Sequence, residues 1–336
     1  MDNNHFAIVM AGGIGARFWP SSTPDYPKQF IDMTGNGSSL LQTTFSRLKK
    51  IVPAENIYIV TQLRYKKIIL DQLRGKLNED QIISEPDRRN TAPCILLASL
   101  KIQKRNPDAI IIVSPSDHSI QNEVIFKSDM EFALASAGKE NLITFGIVPT
   151  FPATGFGYVS VKEDENRLKT VLEFTEKPDK NKAKSLIDSG NYYWNSGMFV
   201  WSVNAVINGF KEYVPKLFDL FNAGFRILNT PDEKKFISEN YPLAENISID
   251  YALLEKSNLI NLIPASFDWD DLGSWKSIYD LNTKDAANNV VINSKVYLNQ
   301  SSNNLIKSDP NKKIVISGLN DFIIVDSEDV LMICPI

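Results

Sequence analysis

The first half of the chain alternates between two hydrophobic periods. Short β-rich runs, His5 to Met10, Asn56 to Val60, Gln81 to Ser84 and Ala109 to Val113, are separated by segments with apolar residues at helical spacing: Ser39 to Lys50, Gln62 to Arg74 and Thr91 to Arg105. Leu40, Leu41, Phe45 and Leu48 form one stripe on the first of these. Strands joined through helices run parallel, and ligands in such an architecture sit at the carboxyl ends of the strands. Two segments fall at such ends, the glycine loop after Met10 and "SPSDH", Ser114 to His118. The expected fold is α/β, a Rossmann-like mixed but mostly parallel sheet flanked by helices.

From Leu142 the pattern turns to β-rich pieces and aromatic loops, with helical stretches at Val203 to Phe225 and Ser248 to Lys256. After about Asp285 only strands and Asn/Ser turns follow, with no long repeat. This divides the chain into a catalytic domain, 1–284, and a small all-β appendage, 285–336, whose strand edges make a plausible homodimer surface. A net charge of −4 argues against nucleic acid as a partner, so any phosphate affinity must be local. No apolar run reaches the length of a signal core or a membrane span, so a cytoplasmic location and no membrane partner are expected. Cys94 and Cys334 have no bridging or metal-binding spacing, and there are only two histidines, His5 and His118. A metal, if used, falls to carboxylates.

The stretch "IVMAGGIGARFWPSSTPDYPKQF", Ile8 to Phe30, follows a strand with three glycines and then places Arg17 and Lys28 nearby. Backbone cleared of side chains and flanked by cations suits a closely approaching anion. A dinucleotide fingerprint fails because the position of its third glycine, counted from Gly13 and Gly15, is Phe18. A Gly-Lys-Ser/Thr phosphate loop occurs nowhere. A strained turn without a ligand remains the alternative, although such a turn has no need of two cations.

Beyond the loop, "EPDRRNTAP" (Glu85 to Pro93), "PSDH" (Pro115 to His118), "TGFGYV" (Thr154 to Val159), "FTEKP" (Phe174 to Pro178), "NSGMF" (Asn195 to Phe199), "SIDYALLEK" (Ser248 to Lys256) and "WDDLGSW" (Trp269 to Trp275) follow in order. Together with "AGGIGARFWPSS" and "PKQF", they resemble the sugar-phosphate nucleotidyltransferases, in the mannose-1-phosphate guanylyltransferase branch. The resemblance implies that GTP and mannose 1-phosphate are converted to GDP-mannose and pyrophosphate. Some members carry an isomerase domain after the β segment; the chain ends at Ile336, so that second activity is expected to be absent.

Attack of a phosphate oxygen on the α-phosphorus joins two polyanions, so charge neutralisation and alignment are the protein's tasks. Arg17 and Lys28 are then expected to hold the triphosphate, and Ala11, Gly12, Gly13, Gly15 and Ser116 to line the nucleotide. Asp117 and Asp271, 154 residues apart, suit Mg2+, which takes few protein ligands. In the resembling family these two aspartates play that part, Trp269-x-Asp271-x-Gly273 fixing the register. Asp117 could instead be a turn or cap residue, and Asp271 a cap on a helix starting near Ser274. The family likewise puts Lys177 on the sugar phosphate and Glu176 on sugar hydroxyls, with Asn195 and Gly157 adding contacts. Pro178 suggests that Lys177 sits on extended backbone. Tyr158 and Trp194 are either core or sugar platform. Guanine offers two donors on one edge, which a carboxylate accepts, and Glu85 is the candidate. Asn90, Thr91 and Ala92 open a helix whose first amides could turn toward the nucleotide. Arg88 and Arg89 could be exposed loop charges. The alternatives are a uridylyl- or adenylyltransferase acting on another hexose 1-phosphate, and a non-catalytic regulatory homologue. Retention of Asp117, Asp271, Lys28 and Lys177 weighs against the latter.

Overall fold

In the computed structural model, residues 2–138 and 140–336 are described. Two compact units share the chain. The first takes the chain through Gly12, then Phe45–Pro115 and Ile120–Trp269; the second takes Gly13–Thr44, Ser116–Ser119 and Asp270–Ile336. The expected single cut before residue 285 is therefore not where the compact units divide: the glycine loop, the segment holding Asp117 and the Asp271 segment join the C-terminal strands.

The first unit holds a nine-stranded sheet in the order β3-β2-β1-β4-β8-β5-β9-β7-β6. Its parallel part is β1 (His5–Met10), β2 (Ile57–Gln62), β3 (Ile82–Glu85) and β4 (Ile110–Pro115), the four strands expected from the alternation. Strand β1 lies between β2 and β4, so both its edges are paired, and Phe6 to Val9 are buried on both faces of the sheet, which an uninterrupted apolar run allows. Helices α1 (Leu40–Leu48), α2 (Lys66–Gln72) and α3 (Thr91–Arg105) occupy the expected segments. A 3-10 turn, Leu63–Tyr65, takes the start of the second. Buried residues run unbroken from Ala92 to Ile102 in α3, which packs with helices Val203–Tyr213 and Pro215–Asn222 in the main apolar core. Pro215 splits the expected Val203 to Phe225 stretch, because a proline is accommodated at a helix start and not in its interior.

The remainder of the sheet corrects the expectation of mostly parallel strands. β5 (Leu142–Ile147), β6 (Tyr158–Val161), β7 (Lys169–Thr175), β8 (Tyr192–Ser202) and β9 (Ile260–Pro264) pair antiparallel except for β5 with β9. Because β8 also pairs with β6, these five close into a ring. A short loop joins β6 directly to β7, as antiparallel neighbours allow, whereas β8 and β9 reach their places after the helices Lys180–Asp188 and Val203–Tyr213.

In the second unit, β10 (Val290–Ile292), β12 (Leu305–Lys307) and β14 (Phe322–Ser327) pair parallel, as do β11 (Lys295–Asn299) and β13 (Lys313–Ser317). Antiparallel β15 (Val330–Pro335) ends the stack on β14. Val290 lies over Leu305, Leu305 over Ile323, Lys295 over Lys313 and Ser302 over Asn320, so successive coils of similar but unequal length stack in a repeat that the sequence conceals. Asparagines carry the repeat. Asn289 and Asn304 bond across coils, and Asn304 reaches Leu319 O and Phe322 N. A core of Phe18, Ile31, Met33, Leu40, Leu272, Trp275, Ile278, Val290, Leu305 and Ile323 joins the loop to this stack.

Candidate active site

In the second unit the glycine loop is built around Lys28. Gly15 adopts φ 65°, and a Cβ there would stand 2.4 Å from Cβ of Lys28, so backbone conformation and crowding both demand glycine. Loop carbonyls are pinned: Gln29 Nε2 donates to Gly13 O at 2.9 Å and Ser22 Oγ to Ile14 O at 2.8 Å. Pro27 leads Lys28 into the turn Lys28–Phe30, where the Lys28 side chain is buried. The ammonium donates to Asp117 Oδ2 at 3.0 Å and to the Asp271 carbonyl at 2.7 Å, and lies 5.4 Å from the Phe18 ring centre.

Asp117 and Asp271 are thus brought together around one cation. Ser119 and Asp270 exchange both backbone hydrogen bonds, which lays the two segments side by side. Burial alone would raise the Asp117 carboxyl; Lys28, and then His118, hold it below its ordinary value. Gly273 keeps space at the Asp271 carboxylate, since a Cβ would come within 2.9 Å of Oδ2 and 3.3 Å of an Arg17 nitrogen. Arg17 is exposed. The helix Trp275–Leu281 is capped by Ser274, whose side chain accepts from Ser277 N, so Asp271 is not its cap. Ser116 is buried, its carbonyl bonded by Thr44 Oγ1.

The first unit holds two further clusters. Glu85 ends β3, buried, with Oε1 accepting from the Tyr241 hydroxyl and Oε2 3.3 Å from where a Cβ on Gly12 would lie. Ala11 and Gly12 are held from behind, their carbonyls bonded by Thr61 Oγ1 and Gln62 Nε2. Burial pushes the Glu85 carboxyl up to about 7, against the hydrogen bond of Tyr241 and the charge of Arg88. The expected role for the first amides of α3 meets a difference: Thr91 N donates to the Asn90 side chain and Ala92 N to Ile247 O, so both are engaged inside the protein. Asn90 carries φ 66° as the cap. Arg89 pairs with Asp87 at 2.8 Å, and Arg88 is exposed.

The other cluster gathers Gly157, Glu176, Lys177, Asn195 and Asp250. Asn195 N donates to Gly157 O, and its Nδ2 donates to Asp250 Oδ1 at 3.0 Å. A Cβ on Gly157 would meet Glu176 Oε2 at 2.6 Å. Lys177 pairs with Glu176 Oε1 at 3.1 Å. Its backbone is at φ 46°, not extended as expected, with its N–H bonded to Phe156 O; Pro178 removes the right-handed helical option and this bond selects the left-handed one. Burial, then the charge of Asp250, raise Glu176 to about 7, and burial raises Asp250 as well. Tyr158 and Trp194 are buried, Trp194 between Phe151 and Phe156, and belong to the core.

Sequence reasoning assigned no part to Tyr241, Asp250, Gln29 or Gly273. Asp250, Gln29 and Gly273 stand inside quoted segments; Tyr241 closes a polar helix and carries no local signal.

A nucleotidyl transferase family model matches residues 6–288. A mannose-1-phosphate guanylyltransferase of Escherichia coli is 34% identical over 97% of this chain and 70% of its own length. The crystal structure of a protein named mannose-1-phosphate geranyltransferase, from Thermus thermophilus, matches with a TM-score of 0.88 at 25% identity, covering 99% of this chain and 95% of that one. A protein named mannose-6-phosphate isomerase, from Helicobacter pylori, matches with a TM-score of 0.66 at 27% identity, over 79% of this chain and 99% of its own.

Proposed function

The chain belongs to the nucleotidyl transferase family, and on that premise we propose that it is a mannose-1-phosphate guanylyltransferase, making GDP-mannose and pyrophosphate from GTP and mannose 1-phosphate. An oxygen of the sugar phosphate forms a bond to the α-phosphorus of GTP as the bond from that phosphorus to the bridging oxygen breaks. The β- and γ-phosphates leave with the electron pair as pyrophosphate. No protein nucleophile is needed, and the chain's work is to hold anions in line.

The observation that carries this reading is the Lys28 ammonium, buried between the Asp117 carboxylate and the Asp271 carbonyl beside a loop cleared of side chains. Lys28 and Arg17 would neutralise the triphosphate and steady the leaving pyrophosphate, with amides of Gly12, Gly13 and Gly15 as added donors. Asp117 and Asp271 offer hard carboxylate oxygens, one held ionised by Lys28 and the other kept open by Gly273, a donor set that fits Mg2+. When bound, the ion supplies positive charge at the phosphates. Glu85 accepts the two donors of guanine, with Ala11, Asn90, Thr91, Ala92 and Ser116 lining the nucleotide. Lys177 binds the sugar phosphate, while Glu176, Asn195 and the Gly157 backbone take sugar hydroxyls. Two copies pair through the β tail, where Leu331 and Ile333 are exposed. The cytoplasm is its place of work. The division at residues 1–284 and 285–336 describes function, catalysis against assembly.

The test is a matrix of four nucleoside triphosphates against several hexose 1-phosphates with Mg2+, reading pyrophosphate release. GTP with mannose 1-phosphate is expected to give the highest kcat/KM. Preference for UTP or ATP overturns the guanylyl assignment, and no release in any cell of the matrix overturns the enzyme reading.

A further inference from the structure

The Glu85 carboxylate has a partner that does not belong to its own strand. Tyr241 lies at the end of the helix Glu233–Asn240, fully buried, its ring stacked on Phe221 at 5.5 Å between centres. Its hydroxyl donates to Glu85 Oε1. The ring cannot turn without losing that stack, so the donor is fixed in space, and the carboxylate it grips is fixed with it. Oε2 is left facing Gly12, where the absence of a side chain keeps the approach open.

We infer that Tyr241 is a positioning residue for base recognition: by pinning one oxygen of Glu85 it orients the carboxylate and favours its anionic form, so that preference for guanine depends on this hydrogen bond. The inference rests on the guanylyltransferase reading above. A guanine edge presents two N–H donors, and only an ionised carboxylate accepts both. The groups facing Glu85 are the Tyr241 hydroxyl, the buried Cys94 thiol on α3 and the Arg88 side chain, with Asp87 acting on Tyr241. With burial holding the acid near neutrality, loss of its donor leaves it protonated to higher pH. A protonated Glu85 offers guanine a donor where an acceptor is needed.

The experiment measures KM for GTP and for inosine triphosphate, which lacks the 2-amino group, in wild type and Tyr241→Phe across the pH range, together with equilibrium binding of GTP alone. Tyr241→Phe is expected to raise KM for GTP roughly tenfold with kcat little changed. It should also narrow the preference for GTP over inosine triphosphate and move the acidic limb of the binding profile to higher pH. A purely structural tyrosine would lower the amount of active protein and move neither the limb nor the preference. Should Tyr241→Phe not fold, a ring-fluorinated tyrosine placed at 241 keeps the shape and strengthens the donor, and the limb must then move to lower pH. No GTP turnover by the wild type sinks both readings. GTP turnover with KM, preference and limb unchanged in the variant sinks the role of Tyr241 alone.

Discussion

Lys28 and Lys177 each pair with a carboxylate, and the two pairs are mirror images in burial. At Lys28–Asp117 the cation's side chain is 5% exposed and the acid's 33%; at Lys177–Glu176 the figures are 57% and 5%. The consequences follow from which partner lost its water. A buried ammonium that cannot be screened keeps Asp117 ionised below its usual range. A buried carboxyl beside Asp250 climbs to about 7 while its lysine stays wet. Under the proposed reaction the difference makes chemical sense. Phosphates and a divalent ion call for fixed charges of both signs, whereas sugar hydroxyls, which both donate and accept, are served by an acid near its own pKa.

Removing the buried cation should give the largest effect. Lys28→Met is expected to lower kcat/KM for pyrophosphate release on the order of 10³-fold, as for other preorganised donors at a developing charge. It also strips Asp117 of its counter-charge, and the carboxyl should rise toward and above its ordinary value, detectable by carboxyl NMR. Unchanged turnover would remove Lys28 from the reaction.

The exposed cation should matter less and elsewhere. Lys177→Met is expected to raise KM for the sugar phosphate roughly tenfold, since a half-wet ion pair to a ligand is partly screened. KM for GTP should hardly move. Equal increases in both constants would break the assignment of Lys177 to the sugar phosphate, and with it the division between the two lysines.

How much of this was legible in the sequence follows the range of the interactions. The four parallel strands and α3 were readable because their apolar period is local and covered on both sides, as for Phe6 to Val9 and Ala92 to Ile102. The ring of β5 to β9 was not, because its closure depends on β8 pairing with β4, β5 and β6, and no local pattern encodes three neighbours. The coil repeat hid in ordinary strand spacing, with its asparagines looking like turns. Among the candidate site residues, Lys28, Asp117 and Asp271 stood out because glycine, proline and tryptophan punctuate their segments. Tyr241 and Asp250 bond to partners more than fifty residues away in sequence, Glu85 and Asn195; nothing adjacent marks Tyr241, and the segment around Asp250 does not single it out.

The smallest expected effect tests the mirror directly, through stability. Glu176 has a folded value near 7 against 4.5 for the exposed group. A raised acid binds its proton more tightly when folded, so it does not weaken the fold below the unfolded value. Its penalty grows as pH climbs from about 4.5 to about 7 and is complete above that. Glu176→Gln keeps the shape against Gly157 and removes the charge. The variant should match wild type in urea unfolding near pH 4.5 and exceed it by about 1–2 kcal/mol near pH 8, less than the full shift implies because Glu176 and Asp250 titrate as a pair and the cost is shared between them. At Lys28–Asp117 the sign reverses. There the depressed acid contributes stability above its unfolded value that is lost as pH falls, so Asp117→Asn should destabilise at neutral pH and approach wild type in acid. Both substitutions shifting stability in the same direction at neutral pH would mean that burial does not divide the two pairs, and the contrast between them would fail.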